Sequence, residues 1–199
     1  GYGFTAVGRQ ARLSSTRLSL FERAMVSEIL TPEREPGVTV FGALGPEGNA
    51  VLPSEAFKWM VGVSNGSGDF TGDLDPAPRI AARLQLDLFA PWEASEVNMA
   101  LPKHALSVGG GFNQNWGLEA DTITAGADLG LRFWRFTLAG EFMWARATPT
   151  FDTAGLPELL ATAEAMGWYG QLGFMILPKH LELALRVEGL DDNLAIDDA

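Results

Sequence analysis

The chain has 199 residues, no cysteine and a formal net charge of -11, which excludes disulfide frameworks and thiol chemistry and argues against a nucleic-acid partner. Hydrophobic residues make up 47% of it, yet no apolar run reaches the ~20 residues that a membrane-crossing helix needs. A helical membrane protein is thereby excluded, whereas a β-barrel, whose signal per strand is much weaker, is not.

The length fits one domain spanning 1–199. The chain opens Gly1-Tyr2-Gly3 without Met, as after removal of a leader or from within a longer protein. The first 36 residues differ from the rest. Arg9, Arg12, Arg17, Arg23 and Arg34 face Glu22, Glu28, Glu33 and Glu35, a net of +1, which leaves -12 for residues 37–199. Leu18, Phe21, Met25 and Ile29 recur at helical spacing and predict a short amphipathic helix within 18–30, which Pro32 and the turn-forming residues up to Gly37 end. A long loop with its own structure is expected here, and loops of that kind tend to be functional.

Strands are predicted at 37–44, 56–64, 79–90, 104–113, 121–133, 135–148, 167–177 and 180–189, because apolar and polar residues alternate with period two. The 79–88 stretch is the clearest: Ile80, Ala82, Leu84, Leu86 and Leu88 share one parity, and Arg79, Ala81, Arg83, Gln85 and Asp87 share the other. The apolar parity continues through Val38/Val40/Leu44, Phe57/Trp59/Val61/Val63, Leu106/Val108/Phe112, Ile123/Leu129/Leu131/Phe133, Phe136/Leu138/Phe142/Trp144, Trp168/Leu172/Phe174/Ile176 and Leu181/Leu183/Leu185/Val187. Such strands build either a soluble β-sandwich, with the apolar band buried between two sheets, or a transmembrane barrel, apolar outside and wet inside.

The connections at 133–135 and 178–180 are short enough only for tight turns, and they fall on the same side as 45–55 and 91–103. Those near 65–78, 114–120 and 149–165 fall on the other, with Asn65 to Asp73 a polar, turn-rich loop and a short helix expected within 155–166. Aromatic residues gather at strand ends, with Phe89, Trp92, Phe133, Trp134 and Phe136 toward the short turns and Trp144 and Trp168 toward the opposite side, as in interfacial girdles. His104 and His180 each follow a Pro-Lys pair and read as turn residues.

Several short motifs, in order, resemble the outer-membrane porins of the phosphate-selective O and P type. They are Gly8-Arg9-Gln10-Ala11-Arg12-Leu13-Ser14-Ser15-Thr16, Leu20-Phe21-Glu22-Arg23-Ala24, Thr31-Pro32-Glu33-Arg34-Glu35-Pro36-Gly37-Val38, Trp59-Met60-Val61-Gly62-Val63-Ser64-Asn65-Gly66, Gly167-Trp168-Tyr169-Gly170-Gln171 and Leu177-Pro178-Lys179-His180-Leu181-Glu182-Leu183. The resemblance implies an all-β, antiparallel transmembrane barrel of about sixteen strands. It also implies a bacterial outer-membrane location, a homotrimer, and passage of small anions or other small solutes through a lumen narrowed by an inward-folded loop. Only eight or nine strands are visible, and no terminal aromatic strand follows the acidic stretch 191–199, so the chain reads as an internal piece of such a barrel.

The expected function is a passive diffusion channel, with the soluble β-sandwich binding module and a non-conducting structural barrel as alternatives. The resemblance and the guanidinium's match to phosphate oxygens make Arg17, Arg23 and Arg34 candidates for a constriction. The inward parity puts Lys58, Arg79, Arg83, Asp87, Asp128, Arg132, Glu141 and Arg186 on the lumen wall. Inward bases and acids balance five against five once Glu182 and Glu188 are counted, so the wall alone predicts no ion preference. No catalytic constellation, cofactor or metal site is expected: Ser14, Ser15 and Ser19 lack a nearby His, the Gly109–Gly111 run lacks the Lys and hydroxyl of a phosphate loop, and Asp191, Asp192, Asp197 and Asp198 read as a solvated acidic loop. Outer-membrane lipid is the expected partner of the apolar band.

Overall fold

The structure is a computed structural model that describes residues 2–3, 7–20, 22–32, 35–66, 78–92, 96, 104–117, 120–150, 162–177 and 180–194. Its strands are β1 (Tyr2–Gly3), β2 (Glu35–Leu44), β3 (Phe57–Ser64), β4 (Arg79–Leu88), β5 (His104–Trp116), β6 (Ala120–Phe133), β7 (Phe136–Pro149), β8 (Ala163–Leu177) and β9 (Leu181–Asp191). Each strand pairs antiparallel with the next in sequence, so the chain is all-β and winds up and down without a crossover. Among the described residues no pairing joins β9 to β1 or β2, and the sheet is open. No described helix is long and apolar enough to cross a membrane.

The register keeps the two parities on opposite faces from strand to strand. Leu84 of β4 lies opposite Trp59 and Gly110, Leu131 of β6 opposite Leu106 and Leu138, and Leu172 of β8 opposite Leu138 and Leu185. Period-two alternation permits this only if no strand slips by a residue. The one irregularity is a shift between Met175 and Leu177 at the end of β8. Short turns make the register tight. Phe133 pairs with Phe136, which leaves Trp134 and Arg135 as the whole β6–β7 connection, and Trp134 enters the left-handed region at φ 55 to close it.

Burial on the two faces is inverted relative to a water-soluble core. The Leu, Val, Ile and Phe parity is exposed, with Leu183 at 63%, Leu185 at 65% and Val187 at 58%. The other parity buries Arg83, Asp87, Ser107, Asn113, Thr124, Asp128, Arg132, Thr137, Glu141 and Gln171. What covers this inner face is the segment between β1 and β2. It forms two short 3-10 turns at Gln10–Arg12 and Ser15–Arg17 and one five-residue helix, α1 (Met25–Ile29). Val7, Ala24, Val26 and Leu30 pack there against Ala139, Met143 and Tyr169 of β7 and β8.

Four local expectations are corrected. The helix expected within 18–30 is only α1, and its buried side carries Val26 while Met25 and Ile29 are exposed. The physical reason is that backbone donors of this segment are satisfied by side chains instead of by helical turns: the Ala24 N–H bonds Gln10 Oε1 and the Ser19 N–H bonds Glu96 Oε2. β7 and β8 run further than expected, so residues 163–166 are strand; the part of that predicted helix at 155–161 lies outside the described residues. His104 begins β5 and stacks on Phe133 across the β5–β6 pair, while His180 does sit in a turn. Trp92 leaves the proposed aromatic rim altogether and is buried on the inner face.

Candidate functional site: the charged inner face

The inner face is organised around Asp128 of β6. Its Oδ1 accepts from Arg9 Nε at 2.9 Å and Arg9 Nη2 at 2.7 Å, and its Oδ2 pairs with Arg83 Nη2 of β4 at 2.6 Å. One carboxylate therefore holds two guanidiniums, one from the wall and one from the covering segment, in the short geometry of charge-assisted bonds. Gly109 of β5 makes the room: a Cβ there would lie 2.9 Å from Asp128 Oδ1 and closer still to Arg83 Nη2. Gly130 does the same for Arg9 and Trp92, since its Cβ would come within 2.7 Å of the indole.

Trp92 carries two cations. The Arg9 guanidinium lies 4.7 Å and that of Arg132 4.3 Å from the indole centroid, and the ring's negative face favours both. Asp87 of β4 fixes this tryptophan's backbone by accepting its N–H, while also binding Lys58 Nζ at 2.8 Å and Gln85 Nε2 at 2.9 Å. Glu96, from the same connection, is buried and accepts from Gln10 Nε2, the Ser19 N–H and Gln171 Nε2. The covering segment and the 89–103 connection, which start from opposite ends of the sheet, thus meet on one face.

Glu141 of β7 closes the arrangement. Its carboxylate accepts from the Gln10 N–H, Ser27 Oγ and Tyr169 Oη. Arg186 of β9 donates to the carbonyls of Glu22 and Arg23 and pairs with Glu188. Arg79 pairs with Glu35 and donates to the Gly66 carbonyl. All eight residues of that parity therefore project to the inner face, where they engage carboxylates, side-chain donors, backbone carbonyls or, for Arg132, the indole of Trp92 and the charge of Glu182.

The three loop arginines fall in different places. Arg17 is exposed on its 3-10 turn, and its carbonyl accepts the Glu96 N–H. Arg23 donates to the carbonyls of Gln10 and Leu13, so it braces the covering segment internally, with Glu28 at 3.9 Å. Arg34 lies outside the described residues.

Three functional-looking residues escape sequence reasoning: Arg12, Trp92 and Glu96. Arg12 sits in the same short stretch as Arg9, and nothing in residue spacing tells which of the two finds an acid. In the fold Arg9 takes Asp128, and Arg12 has no hydrogen-bond or ion-pair partner among the described residues. Burial and then the like charge of Arg83 lower its pKa to about 10, which still leaves it cationic at neutral pH. Arg12, Lys58, Arg83 and Gln85 line a cavity of about 830 Å3 beside β2 and β3. Comparison with family models, with curated proteins and with solved structures finds no match to this chain.

Proposed function

We propose that the chain forms the wall of a passive diffusion channel in a bacterial outer membrane, closed as a porin-like transmembrane β-barrel, with lipid on the outer face and small hydrophilic solutes, anions among them, on the inner one. The observation that carries this reading is the inverted burial. A sandwich would cover the Leu/Val/Ile/Phe band with a second sheet, yet the described residues form one sheet and the band is exposed along β2 to β9. Contiguous exposed apolar surface on that scale is what lipid covers and water does not tolerate. The polar inner face supports the same reading. Arg83 Nε and Nη1, Asn113 Oδ1 and Nδ2 and Arg9 Nη1 have no partner among the described residues, and buried water on a polar face is what would satisfy them.

Anion preference rests on the covering segment rather than the wall, because the wall's charges balance and Arg12 adds an unneutralised cation. Phosphate as the solute and a homotrimer as the assembly come from the resemblance alone. One observation favours a second reading, a non-conducting barrel: the covering segment, Trp92 and Glu96 fill the face over β6 to β8 with buried, mutually bonded groups. Planar-bilayer recording on the full-length protein separates the two, with stepwise conductance expected for a channel and silence for a structural barrel. The membrane reading fails outright if the protein is monodisperse in water without detergent.

A further inference from the structure

We infer that the cavity beside β2 and β3 is a binding site for a small organic carboxylate with an apolar body. The inference rests on the channel reading for its setting but on its own residues for its chemistry. Two cations at one end of the cavity are incompletely used. Arg83 is 4% exposed; its Nη2 reaches Asp128 and, at 3.4 Å, Gln85 Oε1, while its Nε and Nη1 have no partner among the described residues. Arg12, from the covering segment, lines the same cavity without a hydrogen-bond or ion-pair partner among the described residues, and it feels the charge of Arg83 more strongly than that of Asp128. A buried guanidinium with two free N–H groups beside a second unpaired guanidinium is an anion receptor without its anion, because each unmade charged hydrogen bond is costly in a low-dielectric site. Lys58 adds a third cation, already held by Asp87, and Gln85 lies beside them with its amide bonded to Arg83 and Asp87.

The rest of the lining is apolar and chooses among anions. Phe41 and Met60 are direct cross-strand partners on this face, and Ala43 and Gly42 continue the wall beside them. Phe41 is 77% exposed although it belongs to the inner parity, whereas the large apolar side chains of that parity among the described residues further along the sheet, Met143, Tyr169 and Met175, are buried and Leu190 is partly so. The one acid on the lining among the described residues is Glu55, exposed on the β2–β3 connection. Inorganic phosphate would meet the guanidiniums but leave Phe41 uncovered. An aromatic or short aliphatic carboxylate satisfies both ends, and about 830 Å3 is ample for one. No bond is made or broken; the site binds and releases.

The test is isothermal titration of the full-length protein in detergent micelles with benzoate, inorganic phosphate and benzyl alcohol, the last two each lacking one half of the chemistry. Benzoate is expected to bind at least about tenfold more tightly than either. Arg12→Gln, which leaves the Arg83–Asp128 pair in place, is expected to weaken benzoate by about tenfold or more, and Phe41→Ser by a similar factor, with unchanged thermal unfolding in both. Phosphate binding as tightly as benzoate would overturn the apolar half of the proposal, and benzoate binding untouched by Arg12→Gln would overturn the site. Absence of benzoate binding by the parent protein, with its bilayer conductance present, refutes this site and spares the channel. Benzoate binding by a protein that needs no detergent refutes the channel and spares the site.

Discussion

Leu172 of β8 gives the sharpest test of which solvent the outer face meets. It is 45% exposed, lies two residues from the centre of its strand and is flanked on the same face by Leu138 and Leu185. In water, replacing a half-exposed leucine on a sheet surface by arginine changes stability by at most about 0.5 kcal/mol. Facing lipid near the bilayer midplane, the same change costs about 2–4 kcal/mol, because the guanidinium must be desolvated or must drag water and headgroups inward. At 1.4 kcal/mol per factor of ten, that is about 30-fold to several hundred-fold in the folding equilibrium. The cost falls to about 0–1 kcal/mol near the interface, so Leu181→Arg, at the very start of β9, is the matched control. The assay is equilibrium urea unfolding in lipid vesicles, read by tryptophan fluorescence. Equal effects at 172 and 181, both within about 0.5 kcal/mol of the parent, would refute the lipid-facing assignment.

Asp128→Ala removes the only acid that Arg9 and Arg83 share and is expected to cost about 3–5 kcal/mol in unfolding free energy, because two buried guanidiniums lose their counter-charge; a loss below about 1 kcal/mol would mean that water already neutralises the pair. Gly130→Val drives side-chain atoms into Arg9 and Trp92 and is expected to loosen the covering segment, seen as faster proteolysis within residues 7–32, whereas Gly170→Val, where a Cβ meets nothing within 4 Å, is expected to leave cleavage at the parent rate. Glu96→Ala leaves the Gln10, Ser19 and Gln171 donors without their acceptor and is expected to destabilise by at least about 1–3 kcal/mol; calorimetry within error of the parent would mean that Glu96 does not hold the covering segment. Arg23→Ala, which frees the Gln10 and Leu13 carbonyls, is expected to raise cleavage of the covering segment while leaving the reversal potential under a chloride gradient unchanged; a shifted potential would return Arg23 to the ion path.

The strands were legible because alternation is a local property. A residue's face in a strand follows from its parity alone, so Ile80/Leu84/Leu88 against Arg83/Asp87 could be sorted without knowing any partner. The shared face of Lys58, Arg79, Arg83, Asp87, Asp128, Arg132, Glu141 and Arg186 follows from parity for the same reason. Residues of the covering segment were not sorted correctly, because their environment depends on contacts across the chain: Arg9 reaches Asp128 over 119 positions and Gln10 reaches Glu141 over 131. Helical spacing at Leu18, Phe21, Met25 and Ile29 misled because a segment buried against a polar wall can spend its backbone donors on that wall instead of on its own turns.

By itself, then, the sequence determined a run of strands with one apolar and one charged face and the tight turns between two pairs of them, since parity and connection length are local; the register came from the fold. Which face is covered, that Arg9 is neutralised while Arg12 beside it is not, and that Trp92 and Glu96 turn inward were decided only in three dimensions. The physical reason is that a charge's partner, unlike a strand's parity, is set by distance in space, and one shared carboxylate at Asp128 left Arg12 and most of Arg83 unpaired at the edge of a cavity.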